Sequence, residues 1–157
     1  MKTVLIACAA SAFLGAAASP AARADEPPPA YDAELATALG ADDYGMRAYV
    51  FVLLKTGPAE VTDEKRRKEL FAGHFANMTR LAKEGALVLA GPLDDDTGKR
   101  GLFILNAPSV DAAREMVAGD PAVAAGIFTA EYSGYYGSAA LMKINEIHTK
   151  IQRKKIE

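Results

Sequence analysis

Apolar positions along this chain fall into short segments of distinct period. Residues 47–55 (RAYVFVLLK) are apolar at nearly every position, as in a strand covered on both faces. Alternation sends Ala48, Val50, Val52 and Leu54 to one side, and Tyr49 and Phe51 to the other. Thr56-Gly57-Pro58 breaks the strand. Thr62 is then the expected N-cap of a helix over residues 63–84, with Asp63 and Glu64 in the first turn, where carboxylates suit the dipole. In that helix Phe71, Phe75, Met78 and Leu81 recur at the spacing of one buried face. His74 lies one turn from Phe71 and Met78, which directs it to the margin of the core. Gly73 weakens the helix by ~1 kcal/mol relative to alanine, and Gly85 stands where a left-handed cap is expected.

The pattern continues with a second strand at 86–90, a polar turn (LDDDTGKR) and a third strand at 102–106. Ser109 caps a second helix over 110–118, with Val110, Ala113, Met116 and Val117 inward and Gly119 ending it. Asp120-Pro121 opens a short turn, and 127–135 reads as a fourth strand rich in Phe128, Tyr132 and Tyr135. Two flanks remain. Residues 32–39 suit a short helix stopped by Gly40, with Leu35 and Leu39 spaced for docking. Over 138–157, Leu141, Ile144, Ile147 and Ile151 form a helical stripe with a basic end at Lys150, Arg153, Lys154 and Lys155.

Composition changes this picture chiefly at the start. Lys2, the apolar run from Val4 to Ala18 and the small-x-small triplet Ala22-Arg23-Ala24 read as a secretory signal peptide. Cleavage would begin the mature chain at Asp25 and place it outside the cell or in the periplasm, with no membrane attachment. A rival reading takes Leu5-Ile6-Ala7-Cys8 as a lipoprotein box, but too few residues precede Cys8 to form an apolar region. Removing Lys2 and Arg23 leaves 16 basic against 20 acidic side chains, a net charge of −4, and removes Cys8, the single cysteine of the 157 residues. Disulfide and thiol chemistry are then unavailable. The mild acidity excludes sequence-independent nucleic-acid binding, which needs a clustered basic surface.

The order strand–helix–strand–strand–helix–strand is the split βαβ pattern of ferredoxin-like α+β domains, with strands one and three central. Two helices cover one face of such a sheet. The face bearing Tyr49 and Phe51 therefore needs another cover, most simply a second copy of the chain. The expected organisation is a leader (1–24), an N-terminal extension (25–43), the α+β domain (44–137) and a C-terminal helical tail (138–157).

The order GHFANMTRLAKEGALVLAGP, then RGLFIL, then GDPAVAAGIF resembles the YciI-like (YCII-related) family over residues 46–136, and the flanks look like a secreted subgroup of it. The resemblance implies a homodimeric α+β barrel, βαββαβ in each chain, with two sheets packed around a cavity. It also implies a His–Asp pair, falling here on His74 and Asp120. A carboxylate on one imidazole nitrogen fixes the tautomer and raises the basicity of the other, which suits proton abstraction or an elimination. The competing reading is a core-edge histidine bonded to Asp120 for structural reasons, with Asp120 capping the turn at Pro121.

Arg100, Tyr49, Phe51 and Tyr132 are weaker candidates for contacts to a small hydrophobic or aromatic ligand. His148 stands apart on the tail and makes no metal set with His74; the Asp94-Asp95-Asp96 turn lacks the glutamate of a calcium loop. Asn77-Met78-Thr79 matches a glycosylation sequon inside a helix. No phosphate loop, nucleophile elbow or zinc signature is present, so no cofactor is expected. Two classes of function follow: a small cofactor-independent lyase or isomerase using His74 as base, and a non-catalytic binding or scaffold module.

Overall fold

A four-stranded antiparallel sheet in the order β2-β3-β1-β4 organises the chain. The computed structural model describes residues 30–94 and 96–154. The leader, the expected start at Asp25 and the basic residue Lys155 lie outside the described residues. From Asp32 onward the described residues gather into one unit. In chain order the elements are α1 (Ala33–Leu39), β1 (Met46–Thr56), α2 (Glu64–Lys83), β2 (Leu87–Pro92), β3 (Lys99–Leu105), α3 (Val110–Ala118), the single-turn α4 (Pro121–Ala124) and β4 (Phe128–Ser138). A 3-10 turn (Ala139–Lys143) then runs directly into α5 (Ile144–Ile151). This is the α+β, βαββαβ arrangement, with β1 and β3 central and a short helix at each flank.

Register shows why the two sides of β1 differ in kind. Val50, Val52 and Leu54 stand opposite Leu105, Phe103 and Gly101 of β3 and point to the helices. With Leu81, Leu87, Ala113 and Val117 they form the main core. Ala113 and Val117 are the buried residues of α3, while Val110 and Met116 are half-buried beside them.

The N-cap of α2 is Asp63 rather than Thr62. Its carboxylate accepts from the Arg66 amide at 2.6 Å, and its backbone is extended, which leaves Thr62 outside the helix. A charged acceptor satisfies an orphan amide and answers the dipole with the same atom, so aspartate displaces threonine here. Gly85 has the expected left-handed backbone, φ 72°. Gly119 does not: its φ of −71° is right-handed, because the chain turns at once into the cap of α4.

The outer face of the sheet is partly covered by the chain itself. Tyr49, Val88 and Ile104 are buried there, with Leu141 and Met142 of the 3-10 turn packed on them. The Tyr49 hydroxyl donates to the Ser138 carbonyl at 3.0 Å, and Asn145 of α5 donates to the Leu87 carbonyl at 2.7 Å. The tail stripe is therefore split: Leu141 and Ile144 are half-buried, whereas Ile147 and Ile151 are 54% and 71% exposed. At the opposite flank, Arg47 donates to the Leu39 carbonyl and to Asn106, each at 2.7 Å, which ties the end of α1 to the end of β3. Tyr136 donates to Asp42 and anchors the end of β4 to the same flank.

Candidate active site

Gly73 sets the position of the site. A Cβ added there would lie 2.7 Å from Pro121 Cγ, so a glycine is what allows α4 to approach the middle of α2. The neighbouring His74 is thereby brought to Asp120, 46 residues on, with Nδ1 2.6 Å from Oδ2. The other carboxylate oxygen accepts from the amides of Ala122 at 2.9 Å and Val123 at 3.4 Å. Asp120 is thus both the N-cap of α4 and the partner of His74.

Asp120 is fully buried, and His74 is 7% exposed. Burial alone would raise the Asp120 carboxyl. The hydrogen bond and charge of His74, with the two amides, outweigh burial and hold it below the ordinary carboxylate value. An ionised carboxylate only accepts, so Nδ1 carries the proton, and in the neutral ring the lone pair is then on Nε2. Among the described residues Nε2 has no hydrogen-bond partner.

Four phenyl rings surround the imidazole. Phe75 and Phe128 lie 5.5 Å from it between ring centroids, Phe103 stacks at 6.1 Å, and Phe71 meets it edge-on at 6.4 Å. Together they form much of a cleft of about 920 Å³ between α2, the loop after β1 and the helix-facing side of the sheet. That volume is in the range of small-molecule sites. His74 lies in its lining, with Met78, Leu54 and Arg100.

Of the residues singled out in the sequence, the structure brings together His74, Asp120 and Arg100. Tyr49, Phe51 and Tyr132 do not join them. Strand parity puts Tyr49 and Phe51 on the outer face, where Tyr49 is buried under the tail. Tyr132 faces the helices but packs under Arg114 of α3, 4.5 Å from its ring centre; burial pushes its hydroxyl up, against the Arg114 charge. This cleft therefore lies on the helix side of the sheet, opposite to the face that carries Tyr49 and Phe51.

Sequence reasoning passed over Arg67, Phe103 and Phe128, which also line the cleft. One signal was available: Arg67, Phe71 and His74 sit at i, i+4 and i+7, a single stripe of α2. Asn77 is buried in α2 and accepts from Arg80 at 2.9 Å, so the sequon is enclosed by structure. Among the described residues, no three His, Cys, Asp or Glu side chains converge to hold a metal ion.

The fold and cleft define an α+β domain with a histidine–carboxylate pair in an aromatic-lined cleft. Residues 48–132 match the YCII-related domain, and the chain belongs to that family. The uncharacterized protein YjpA of Bacillus subtilis (strain 168) is 35% identical over 81 residues, which are 52% of this chain and 85% of that protein. Among solved structures, 5-chloro-2-hydroxyhydroquinone dehydrochlorinase (TftG) of Burkholderia phenoliruptrix AC1100, in complex with 2,5-dihydroxybenzoquinone, aligns at 23% identity. That alignment covers 54% of this chain and 90% of the other, with a TM-score of 0.39.

Proposed function

We propose that the cleft is the active site of a small cofactor-independent enzyme, a lyase or isomerase, with His74 as the base and Asp120 as the residue that positions it. The observation that carries this reading is the 2.6 Å bond at Nδ1, which leaves Nε2 unbonded in the lining of the cleft. Nε2 takes a proton from a carbon next to an electron-withdrawing group, and the C–H electron pair moves into the adjacent bond. The imidazolium formed is stabilised by the Asp120 carboxylate beside it. The proton then returns to a neighbouring carbon, giving isomerisation, or leaves with a departing group, giving elimination.

A non-catalytic binding module is favoured by one observation: Asp120 is fully buried and also caps α4, as a structural pair would. Diethyl pyrocarbonate separates the two readings, because it modifies an unprotonated imidazole nitrogen that solvent can reach. The active-site reading predicts modification of His74 as well as of the exposed His148. Modification of His148 alone would leave the binding module as the account of this domain. Export to the periplasm or medium belongs to the same proposal and rests on the leader sequence. So does a homodimer formed on the part of the outer face, around Phe51, Leu53, Leu89 and Leu102, that remains half-buried in one chain.

A further inference from the structure

The cleft carries charge that the His74–Asp120 pair does not use. Arg67 of α2 and Arg100 of β3 both line it. The Arg67 guanidinium lies along the aromatic wall, 5.7 Å from the centre of the Phe71 ring. Arg100 commits Nε to Thr56 Oγ1 at 2.7 Å, which fixes the plane of its guanidinium and leaves both terminal nitrogens. Among the described residues neither arginine stands within salt-bridge reach of a carboxylate. The other arginines of the helices do: Arg66 pairs with Glu69, Arg80 with Glu84 and Arg114 with Asp111. Neighbours in sequence, Arg66 and Arg67 thus have opposite fates, one paired along the helix and one turned to the cleft.

Glu60 and Glu64 also line the cleft, so its charge is mixed. What separates the two signs is preorganisation. All four side chains are exposed, but Arg100 is held by its hydrogen bond to Thr56 and Arg67 rests against the Phe71 ring, whereas the two carboxylates have no such partner among the described residues. A planar guanidinium held in place recognises a carboxylate through two parallel hydrogen bonds and loses little freedom in doing so. An unheld exposed glutamate gives a cation far less.

We propose that the cleft recognises a ring acid: a flat aromatic or unsaturated ring lodged among Phe71, Phe103 and Phe128 beside His74, with its carboxylate on Arg67 and Arg100. This deepens the acid–base reading by naming the substrate class of the same site, but recognition of the acid does not require that catalysis occurs. The carboxylate would also serve the chemistry, because it orients the ring so that one edge faces Nε2.

Calorimetric titration of the full chain with three isosteres tests this directly: 2-naphthoate, neutral 2-naphthalenemethanol and cationic 2-naphthylmethylammonium. The expected order has naphthoate binding ~10-fold or more tighter than the alcohol, and the ammonium weakest. Arg67→Gln and Arg100→Gln should each weaken naphthoate ~10-fold while leaving the alcohol unchanged, which also reports that the variant cleft is folded. His74→Gln should retain the preference for naphthoate. Equal binding of acid and alcohol, strongest binding of the ammonium, no binding of any of the three, or a preference that survives both arginine substitutions would overturn the proposal. If pyrocarbonate fails to reach His74 while the acid preference holds, the acid–base reading falls and the ring-acid site stands. The reverse pair of results removes the ring-acid site and keeps the base.

Discussion

Asp120 bears two loads with its two oxygens, and they can be separated. In Asp120→Asn the side-chain oxygen can still accept from Ala122 and Val123, but an NH2 group now faces His74 Nδ1. Asn donates there, so the imidazole proton moves to Nε2 and the lone pair is lost from the cleft. The expected result is a folded protein, less stable by about 1–3 kcal/mol, with proton-transfer activity down by about 10³–10⁴. Thermal unfolding and turnover measured on the same sample check both halves. Acid adds a signed prediction. The folded-state carboxyl lies below its ordinary 3.8, so its contribution is complete above that value and is lost as pH falls below it. The wild-type melting temperature should therefore drop more steeply below about pH 4 than that of Asp120→Asn. Parallel curves would contradict the assigned shift. The pairing of His74 with Asp120 was legible in the sequence only as a family resemblance. Forty-six residues of separation carry no local signal, whereas the cap of α4 by Asp120 was plain from the Asp-Pro step itself.

At the scale of elements, the contact between α2 and α4 decides whether the pair forms. Gly73 looks like a defect in the helical pattern, and its reason is visible only when Pro121 is found against it. Gly73→Ala should gain ~1 kcal/mol of helix propensity and lose about 1–3 kcal/mol to overlap with the proline ring. We expect a net loss of stability, and a larger relative loss of activity as α4 moves Asp120 away from His74. A variant more stable than wild type with full activity would show that the contact is not limiting. The strands and α3 were read from period alone because their apolar spacing is local. The tail was not: a stripe at helical spacing says nothing of what it meets, and half of it, Ile147 and Ile151, faces outward. The cap of α2 shifted by one residue for a similar reason. Thr62 and Asp63 are both good caps, and only the backbone angle selects between them.

For the whole molecule, strand parity is the chief correction. Every second residue of β1 faces the helices, so the outer-face aromatics Tyr49 and Phe51 cannot share a cavity with His74. The sequence pattern contained that fact, but the resemblance drew attention to an inter-sheet cavity. The tail now covers Tyr49, which leaves a smaller patch for a second copy than an open sheet would offer. Sedimentation at micromolar concentration should still show a dimer, and Phe51→Glu or Leu102→Glu should shift it to monomer without unfolding it. A monomeric wild type would remove the second copy from the account while leaving the single-chain cleft in place. The central claim is the direction of the His74 imidazole, and nitrogen-15 NMR of the neutral ring reads it without a substrate. The account predicts a proton on Nδ1 and a bare, pyridine-like Nε2 in wild type, reversed in Asp120→Asn. A wild-type ring protonated on Nε2 would contradict it, because the cleft would then face a donor instead of a base.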